Sequence, residues 1–267
     1  MNKSKKRAYE ILNHYKNIII DEMEELVKSI ILVGSLSNGS YIPGPGRDID
    51  QITILEDKAN NNQIIRANEI IEKTEEKFNN DIPIARTVYK LGQMQRPFNR
   101  NIDYCKENKH LLELPIELFR IHDSGKIIYG NKNIKRILPV PKRDEVIKFE
   151  KRNRKDYRKL LKNEPEIREN LKNPPVRIAV QIILTTAMKH FYFATGNSCS
   201  NKHKIAERMK DKVVNYKFQK LLDLATEFKL NPDTEFENKK IIKLRKGCKK
   251  LMNWMYERKV DSVPLKK

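Results

Sequence analysis

Two carboxylates separated by one residue, Asp48 and Asp50, open an apolar run that ends at Leu55. The alternation along residues 48–55 predicts a strand, on which Asp48 and Asp50 share one face and Ile49 takes the other. Carboxylate oxygens suit Mg²⁺, and two carboxylates on one face can hold the same pair of ions. Two ions about 3.5 to 4 Å apart can activate an attacking oxygen and neutralise a transferring phosphoryl group. The spacing therefore predicts Asp48 and Asp50 as metal ligands and catalytic residues.

A Gly-Ser turn comes before this carboxylate pair. Gly34 and Ser35 directly follow a short apolar run that predicts a buried strand. Glycine lets the backbone approach a triphosphate, and a serine hydroxyl with neighbouring amides can bind its oxygens. Arg47, next to Asp48, can offset phosphate charge. We therefore predict Gly34, Ser35 and Arg47 as nucleotide-binding residues, joined to the carboxylates by a loop that turns at residues 43–46.

The elements that must position these residues alternate in type over the first half of the chain. Apolar residues at helical spacing predict three helices, and β-branched or alternating runs predict four strands. The predicted helices are 4–28, Asn61–Phe78 and Pro115–His122, and the predicted strands are Ser29–Gly34, Asp48–Leu55, Pro83–Lys90 and Lys126–Tyr129.

Pro139 and Pro141 mark a boundary, because proline lacks an amide donor and restricts the residue before it. Beyond this boundary only helices are predicted, at 143–162, Val176–Ala194, 201–212, 215–229 and 236–258. The second of these carries a broad apolar stripe, which predicts the central helix of a bundle. We therefore expect an α+β chain with one domain at 1–140 and an all-α helical-bundle domain at 141–267.

The combination of a buried strand, Gly34-Ser35, a turn region and Asp48-x-Asp50 opening a second strand resembles the polymerase-β-like nucleotidyltransferases. The resemblance implies a mixed sheet with flanking helices. It also implies Mg²⁺, as two ions, on Asp48 and Asp50, and nucleotide phosphates against Gly34 and Ser35. The implied reaction is transfer of a nucleoside monophosphate, AMP from ATP, to an acceptor.

Two further stretches are similar to the aminoglycoside nucleotidyltransferases that modify streptomycin and spectinomycin. Leu114–Leu118 through Ile128–Gly130 looks like the end of their catalytic domain, and residues 178–216 look like their helical C-terminal domain. In that family a lysine after a Thr-Gly turn reaches the nucleotide, which nominates Lys202 here. The resemblance implies a small-molecule acceptor, aminoglycoside-like, bound between the two domains.

The sequence departs from the family pattern at Ala85. The family carries a third carboxylate on the next strand as general base or metal ligand, and the corresponding run here is Ile84-Ala85-Arg86-Thr87. A general base contributes a factor of about 10²–10⁴ in rate. Three explanations stay open. Activity is lost, or the strand is misaligned and Asp81 or Asp103 serves instead, or the acceptor is an ionised nucleophile, drawn to Arg86, that needs no base.

The net charge of +20 favours polyanions, because basic surfaces attract phosphates and release their counterions. It leaves an alternative function: a catalytically impaired or RNA-directed nucleotide-binding protein of the same fold. Its nucleic-acid surface would be residues 142–162, where Lys and Arg interleave with Phe149 and Tyr157. The same charge disfavours cationic aminoglycosides unless local acids line the pocket. The candidates for such acids are Glu145, Glu150 and Asp156.

No apolar run approaches the roughly 20 residues that a membrane-spanning helix needs. The first residues are basic but lack a secretory apolar core and cleavage site, so we expect a cytoplasmic protein with no membrane partner. The three cysteines, Cys105, Cys199 and Cys248, lie far apart. Their spacing predicts reduced thiols rather than disulfides or a zinc site.

Overall fold

The computed structural model describes residues 3–42, 47–98, 114–148, 174–231 and 234–257. The chain divides into two compact units, Met1–Pro141 and Lys142–Lys267. The first unit holds a four-stranded sheet with helices, and four helices make up most of the described part of the second. The predicted α+β class is confirmed, whereas the assignment of separate roles to domains 1–140 and 141–267 stays a prediction.

The sheet of the first unit is mixed. Its strands are β1 (Val27–Leu32), β2 (Gln51–Leu55), β3 (Val88–Lys90) and β4 (Lys126–Gly130), in the order β3-β2-β1-β4. β1 pairs antiparallel with both β2 and β4, and β2 pairs parallel with β3. All five residues of β2 are buried, as a central strand covered on both faces should be.

In the described part of the first unit, five helices accompany this sheet. They are α1 (Lys3–Met23), α2 (Gly34–Asn38), α3 (Asn61–Lys77), α4 (Leu114–Ser124) and α5 (Ile134–Ile137). In α1, apolar residues three or four apart form one buried stripe that includes Ile11 and Tyr15. α3 begins at a capping box, in which the Asn60 side chain accepts from the Gln63 amide and Gln63 accepts in return. α1 and α3 bury their apolar faces in one core together with residues of the sheet.

Several predicted boundaries were wrong. The helix expected at 4–28 ends at Met23, because a 3₁₀ turn follows and Val27 already pairs with Leu55 in the sheet. The first strand ends at Leu32, since Gly34 begins α2.

The strand expected at Pro83–Lys90 forms a regular ladder only over Val88–Lys90. Its earlier part keeps one isolated bridge, Ile49 to Ile84. Between these two pairings the ladder is interrupted, because the Gln51 side-chain amide and the Thr87 backbone amide both donate to the Ala85 carbonyl oxygen. At Ala85 the Gln51 side chain therefore makes the hydrogen bond that a backbone amide of the neighbouring strand would make in a regular ladder.

The second unit contains α6 (Val176–Thr195), α7 (Ile205–Lys212), α8 (Gln219–Leu230) and α9 (Asn238–Glu257), and residues 143–148 are also helical. α6 contacts α7, α8 and α9, so it is the central helix that its apolar stripe predicts. It ends at Gly196, which takes the left-handed conformation with φ +72°. Among the described helices of both units, none is long and apolar enough to cross a membrane.

Candidate nucleotide and metal site

Asp48 and Asp50 lie immediately before β2, in a segment held from both sides. The amide of Ile49 donates to Pro83 O (2.8 Å), and Ile49 O accepts from the Ala85 amide (2.9 Å). On the other side, the Val33 amide donates to Asp50 O (2.9 Å). The segment is therefore fixed between the end of β1 and residues 83–85, although the regular strand begins only at Gln51.

The two carboxylates share the face opposite the α1–α3 core. Ile49 and Leu55 are buried in that core, and the Thr53 hydroxyl meets the Tyr15 hydroxyl of α1 at 2.7 Å. Because side chains alternate along an extended segment, Asp48 and Asp50 point the other way. Asp48 is exposed and the Asp50 side chain retains 22% exposure. Two hard oxygen donors that reach solvent fit a cation such as Mg²⁺.

Gly34 lies directly against Asp50. A methyl group at Gly34 would overlap Asp50 Oδ2 and lie 2.9 Å from Arg120 Nη2. Gly34 also has φ +71°, a conformation that side chains disfavour. The sequence predicts that Gly34 permits close approach, and within the protein the group that approaches is the carboxylate of Asp50. Ser35 follows in the first turn of α2 and is partly buried.

Arg120 of α4 contacts Asp50 and was not identified from the sequence. Its Nη2 atom lies 2.6 Å from Asp50 Oδ1, and its Nη1 atom lies 2.9 and 3.1 Å from the two carboxylate oxygens of Glu117. The Arg120 and Glu117 side chains are only 18% and 17% exposed. Burial disfavours the charged guanidinium, but the two carboxylates outweigh burial and raise the pKa of Arg120 above its ordinary value. Arg120 is therefore a fixed positive charge at the carboxylate pair.

The sheet explains how α4 reaches the site. Leu32 at the end of β1 pairs with Lys126 at the start of β4, so the helix that leads into β4 ends beside the Gly34 turn. The Ser37 hydroxyl of α2 donates to Ser124 O at the end of α4 and joins the two helices. Glu117 and Arg120, one helical turn apart, share a face of α4. A Glu-x-x-Arg pair before a strand is the signal in the sequence, but only the strand order shows where it points.

Ala85 lies in the irregular segment before β3, at the register position next to Asp50. Ile49 pairs with Ile84 and Thr53 pairs with Val88, and this common offset sets position 85 next to position 50. The neighbours of Ala85 point to the opposite face, where the Ile84 amide donates to Glu75 (2.7 Å) and Arg86 pairs with α3. The residue on the site face at this register is thus Ala85.

Of the two suggested substitutes for a third carboxylate, only Asp81 is among the described residues. Asp81 pairs with Arg7 at 2.9 Å, and Asp103 lies outside the described residues. Arg86, suggested to attract an anionic acceptor, pairs with Glu72 at 2.9 Å and with Glu75 at 3.5 Å on α3. Its charge is therefore engaged on the other face of the segment.

The remaining predicted residues belong to different units of the chain. Arg47 is partly buried next to Asp48 in the first unit, whereas Lys202 lies between α6 and α7 in the second. Within the described ranges, no cluster of three or more His, Cys, Asp or Glu side chains could hold a metal ion. Of the proposed pocket acids only Glu145 is described, and it accepts from the Lys142 amide at 2.7 Å. The other predicted residues of that region, Glu150, Asp156, Phe149 and Tyr157, lie outside the described residues.

No protein-family model matches the chain, and curated protein sequences give no match either. Solved structures, in contrast, do match the chain. The spectinomycin adenyltransferase AAD(9) from Enterococcus faecialis, solved with ATP and spectinomycin, superposes with a TM-score of 0.61 at 17% identity. The alignment covers 92% of this chain and 99% of that one. The chain therefore has the fold of this adenyltransferase.

Two variants of the toxin–antitoxin complex MntA-HpeT also align with this chain. Their identities are 14% and 13%, and the alignments cover 58% of this chain and 92% and 96% of theirs. Their TM-scores are 0.29 and 0.30, too low to carry an argument.

Proposed function

We propose that this chain is a metal-dependent nucleotidyltransferase that moves a nucleoside monophosphate, AMP from ATP, to a small-molecule acceptor. One observation supports the proposal above all others. Asp48 and Asp50 share one face at the start of a central strand, and Asp50 lies against the Gly34 turn. The proposal thus rests on two carboxylates next to a backbone turn that would suit phosphate, in a chain that has the fold of an adenyltransferase.

In this proposal Asp48 and Asp50 would hold Mg²⁺, and the ion would supply positive charge against the triphosphate. Gly34 and Ser35 bind triphosphate oxygens through the backbone and the serine hydroxyl. Arg47 offsets phosphate charge. Lys202 is proposed as a nucleotide-binding residue on the family resemblance alone. ATP is chosen as donor because AAD(9), the structure of similar fold, was solved with ATP.

The proposed acceptor is a small molecule, aminoglycoside-like in the first instance, because AAD(9) was solved with spectinomycin. The charge of +20 disfavours a cationic acceptor at long range. Arg86 would not attract an anionic acceptor, because it forms a salt bridge with Glu72 of α3. The assay should therefore offer separate pools of cationic, neutral and anionic acceptors.

The test is label transfer from α-labelled ATP with Mg²⁺ and each acceptor pool. We expect Asp48→Asn and Asp50→Asn each to reduce transfer by about 10³-fold, since metal-ion stabilisation contributes several kcal/mol to the transition state. Asp81→Asn is the matched control, because its carboxylate pairs with Arg7 away from the site. We expect that variant to transfer label as the wild type does.

Transfer that survives Asp48→Asn combined with Asp50→Asn would overturn this mechanism. A second candidate function, a catalytically impaired nucleotide-binding protein, is favoured by Ala85 beside Asp50 and by Arg120 on Asp50. ATP binding to the wild type without transfer to any pool would establish this alternative.

A further inference from the structure

The Arg120 guanidinium beside Asp50 affects how many metal ions the site can bind. Among the described residues at this site, Asp48, Asp50 and Glu117 supply three negative charges, Arg120 offsets one of them, and Ala85 supplies none. Arg120 already occupies Asp50 Oδ1 at 2.6 Å. Two divalent cations about 3.5 to 4 Å apart repel each other and need shared carboxylate oxygens to hold them. One of the oxygens that would be shared is taken by a guanidinium.

Arg120 is also next to the turn proposed for the triphosphate. Its Nη2 atom lies 2.9 Å from the position that a Gly34 Cβ would take, so the guanidinium touches the surface of that turn. Glu117 holds the other side of the group through two hydrogen bonds. A planar guanidinium held in this way keeps its charge at any physiological pH, and a guanidinium has five N–H groups, more than these contacts use, with which to meet phosphate oxygens.

We propose that this site binds a single divalent cation together with the nucleotide, and that Arg120 supplies the positive charge of the second. The inference rests on the proposed function and deepens it. Arg120 is then a nucleotide-binding residue, and Glu117 is the residue that positions it. Asp48 and Asp50 hold the remaining cation.

The experiment counts Mn²⁺ ions on the full chain by electron paramagnetic resonance, with α,β-methylene-ATP as the non-hydrolysable nucleotide. We expect one bound Mn²⁺ per chain at saturation, with the spectrum of an isolated ion. Two bound ions with a spin-coupled spectrum would overturn the inference and leave the proposed function standing. Failure of the analogue to bind would overturn the proposed function, and this inference with it.

Substitutions at Arg120 test the assignment of the second charge. Arg120→Met should weaken binding of the analogue by about 10-fold or more, because a charge-assisted contact to phosphate is lost. It should also tighten Mn²⁺ binding without nucleotide, because Asp50 is released. Arg120→Lys keeps the charge and should restore part of the nucleotide affinity. Arg66→Met is the matched control, since Arg66 likewise bridges two carboxylates, Glu22 and Glu69, but does so outside the site.

The double variant Arg120→Met with Ala85→Glu removes the fixed cation and adds a carboxylate beside Asp50. We expect it to bind two Mn²⁺ ions with a spin-coupled spectrum. A single bound ion in this variant would show that Arg120 does not stand in for the second cation. Circular dichroism confirms folding of each variant, and the wild-type ion count does not depend on any of them.

Discussion

Gly34 meets two separate constraints at one position. Its φ of +71° lies in the left-handed region, and the space that a Cβ would need is filled by Asp50 Oδ2. We expect Gly34→Ala to lower the free energy of unfolding by about 2 to 4 kcal/mol, combining backbone strain with overpacking. Urea denaturation measures this loss.

Gly39 provides the comparison. It has φ +80°, but no atom lies within 4 Å of its missing Cβ. Gly39→Ala should therefore cost about 1 to 2 kcal/mol, the backbone strain alone. Equal losses in the two variants would show that contact with Asp50 does not constrain Gly34.

The single residues that could be predicted from the sequence are those recognised by their neighbours in the chain. Asp48 and Asp50 are recognisable because one residue separates them, and Gly34 because it ends an apolar run. Arg120 was missed because its partner Asp50 lies far along the chain, and only the pairing of β4 with β1 brings them together. Long-range pairs of this kind leave no mark in residue spacing.

Hydrogen bonds between side chains connect α1, β2 and the segment that carries Ala85. The Thr53 hydroxyl donates to Gln51 Oε1 (2.8 Å), and Gln51 donates to Ala85 O (2.9 Å). Since Thr53 has one hydroxyl proton, Tyr15 must be the donor in the 2.7 Å contact between the two hydroxyls. The position of Ala85 thus depends on a buried polar chain that begins in α1.

Thr53→Val should destabilise the protein by about 2 to 4 kcal/mol, because it removes the partner of the Tyr15 hydroxyl and of Gln51 Oε1 in a buried site. Tyr15→Phe should cost only about 1 kcal/mol, because Thr53 keeps its bond to Gln51. Chemical denaturation of the two variants gives the comparison. A larger loss of stability for Tyr15→Phe than for Thr53→Val would contradict the assignment of Tyr15 as the donor to Thr53.

Helices and strands were predicted well where a buried face makes apolar residues recur at a regular spacing. α3 and α6 agree with prediction to within a residue or so at each end, because their apolar stripes face a core over their whole length. The third strand was predicted too long. Its residues suit a strand, but the Gln51 side chain takes the place of a ladder bond at Ala85, and no single-chain pattern reveals that exchange.

Both units bury weakly acidic side chains, tyrosine hydroxyls and a cysteine thiol, that stay protonated in the folded protein. Burial raises the pKa of Tyr15 in the first unit and of Tyr216 in the second above the usual tyrosine value. Burial also raises the pKa of the Cys248 thiol to about 11. At neutral pH the folded and unfolded chains both hold these protons. As pH rises, the unfolded chain releases them first, so stability is lost.

We therefore expect the free energy of unfolding to fall above pH 9, the ordinary pKa of a thiol. Each such group contributes a slope of up to about 1.4 kcal/mol per pH unit. Denaturation at a series of pH values should show a shallower decline for Cys248→Ala between pH 9 and 11. Cys199→Ala deletes another buried thiol as a control. An unchanged slope in Cys248→Ala would contradict the assignment.

For the molecule as a whole, the spacing of apolar residues predicted the α+β class, and composition and proline positions predicted a boundary and a basic surface. They could not assign the charge of +20 to a particular surface, because basic residues occur in nearly every segment. The region proposed for nucleic acid, 142–162, is described only to residue 148. Its role stays a prediction.

Ala85 has a consequence for how the protein can change over generations. Codons for alanine become codons for aspartate or glutamate by a single base change, so a carboxylate beside Asp50 is one mutational step away. The bonds that fix this backbone reach the Ala85 carbonyl oxygen and not its side chain, so they survive the replacement. In a laboratory population selected for faster turnover, codon 85 is the first place to sequence.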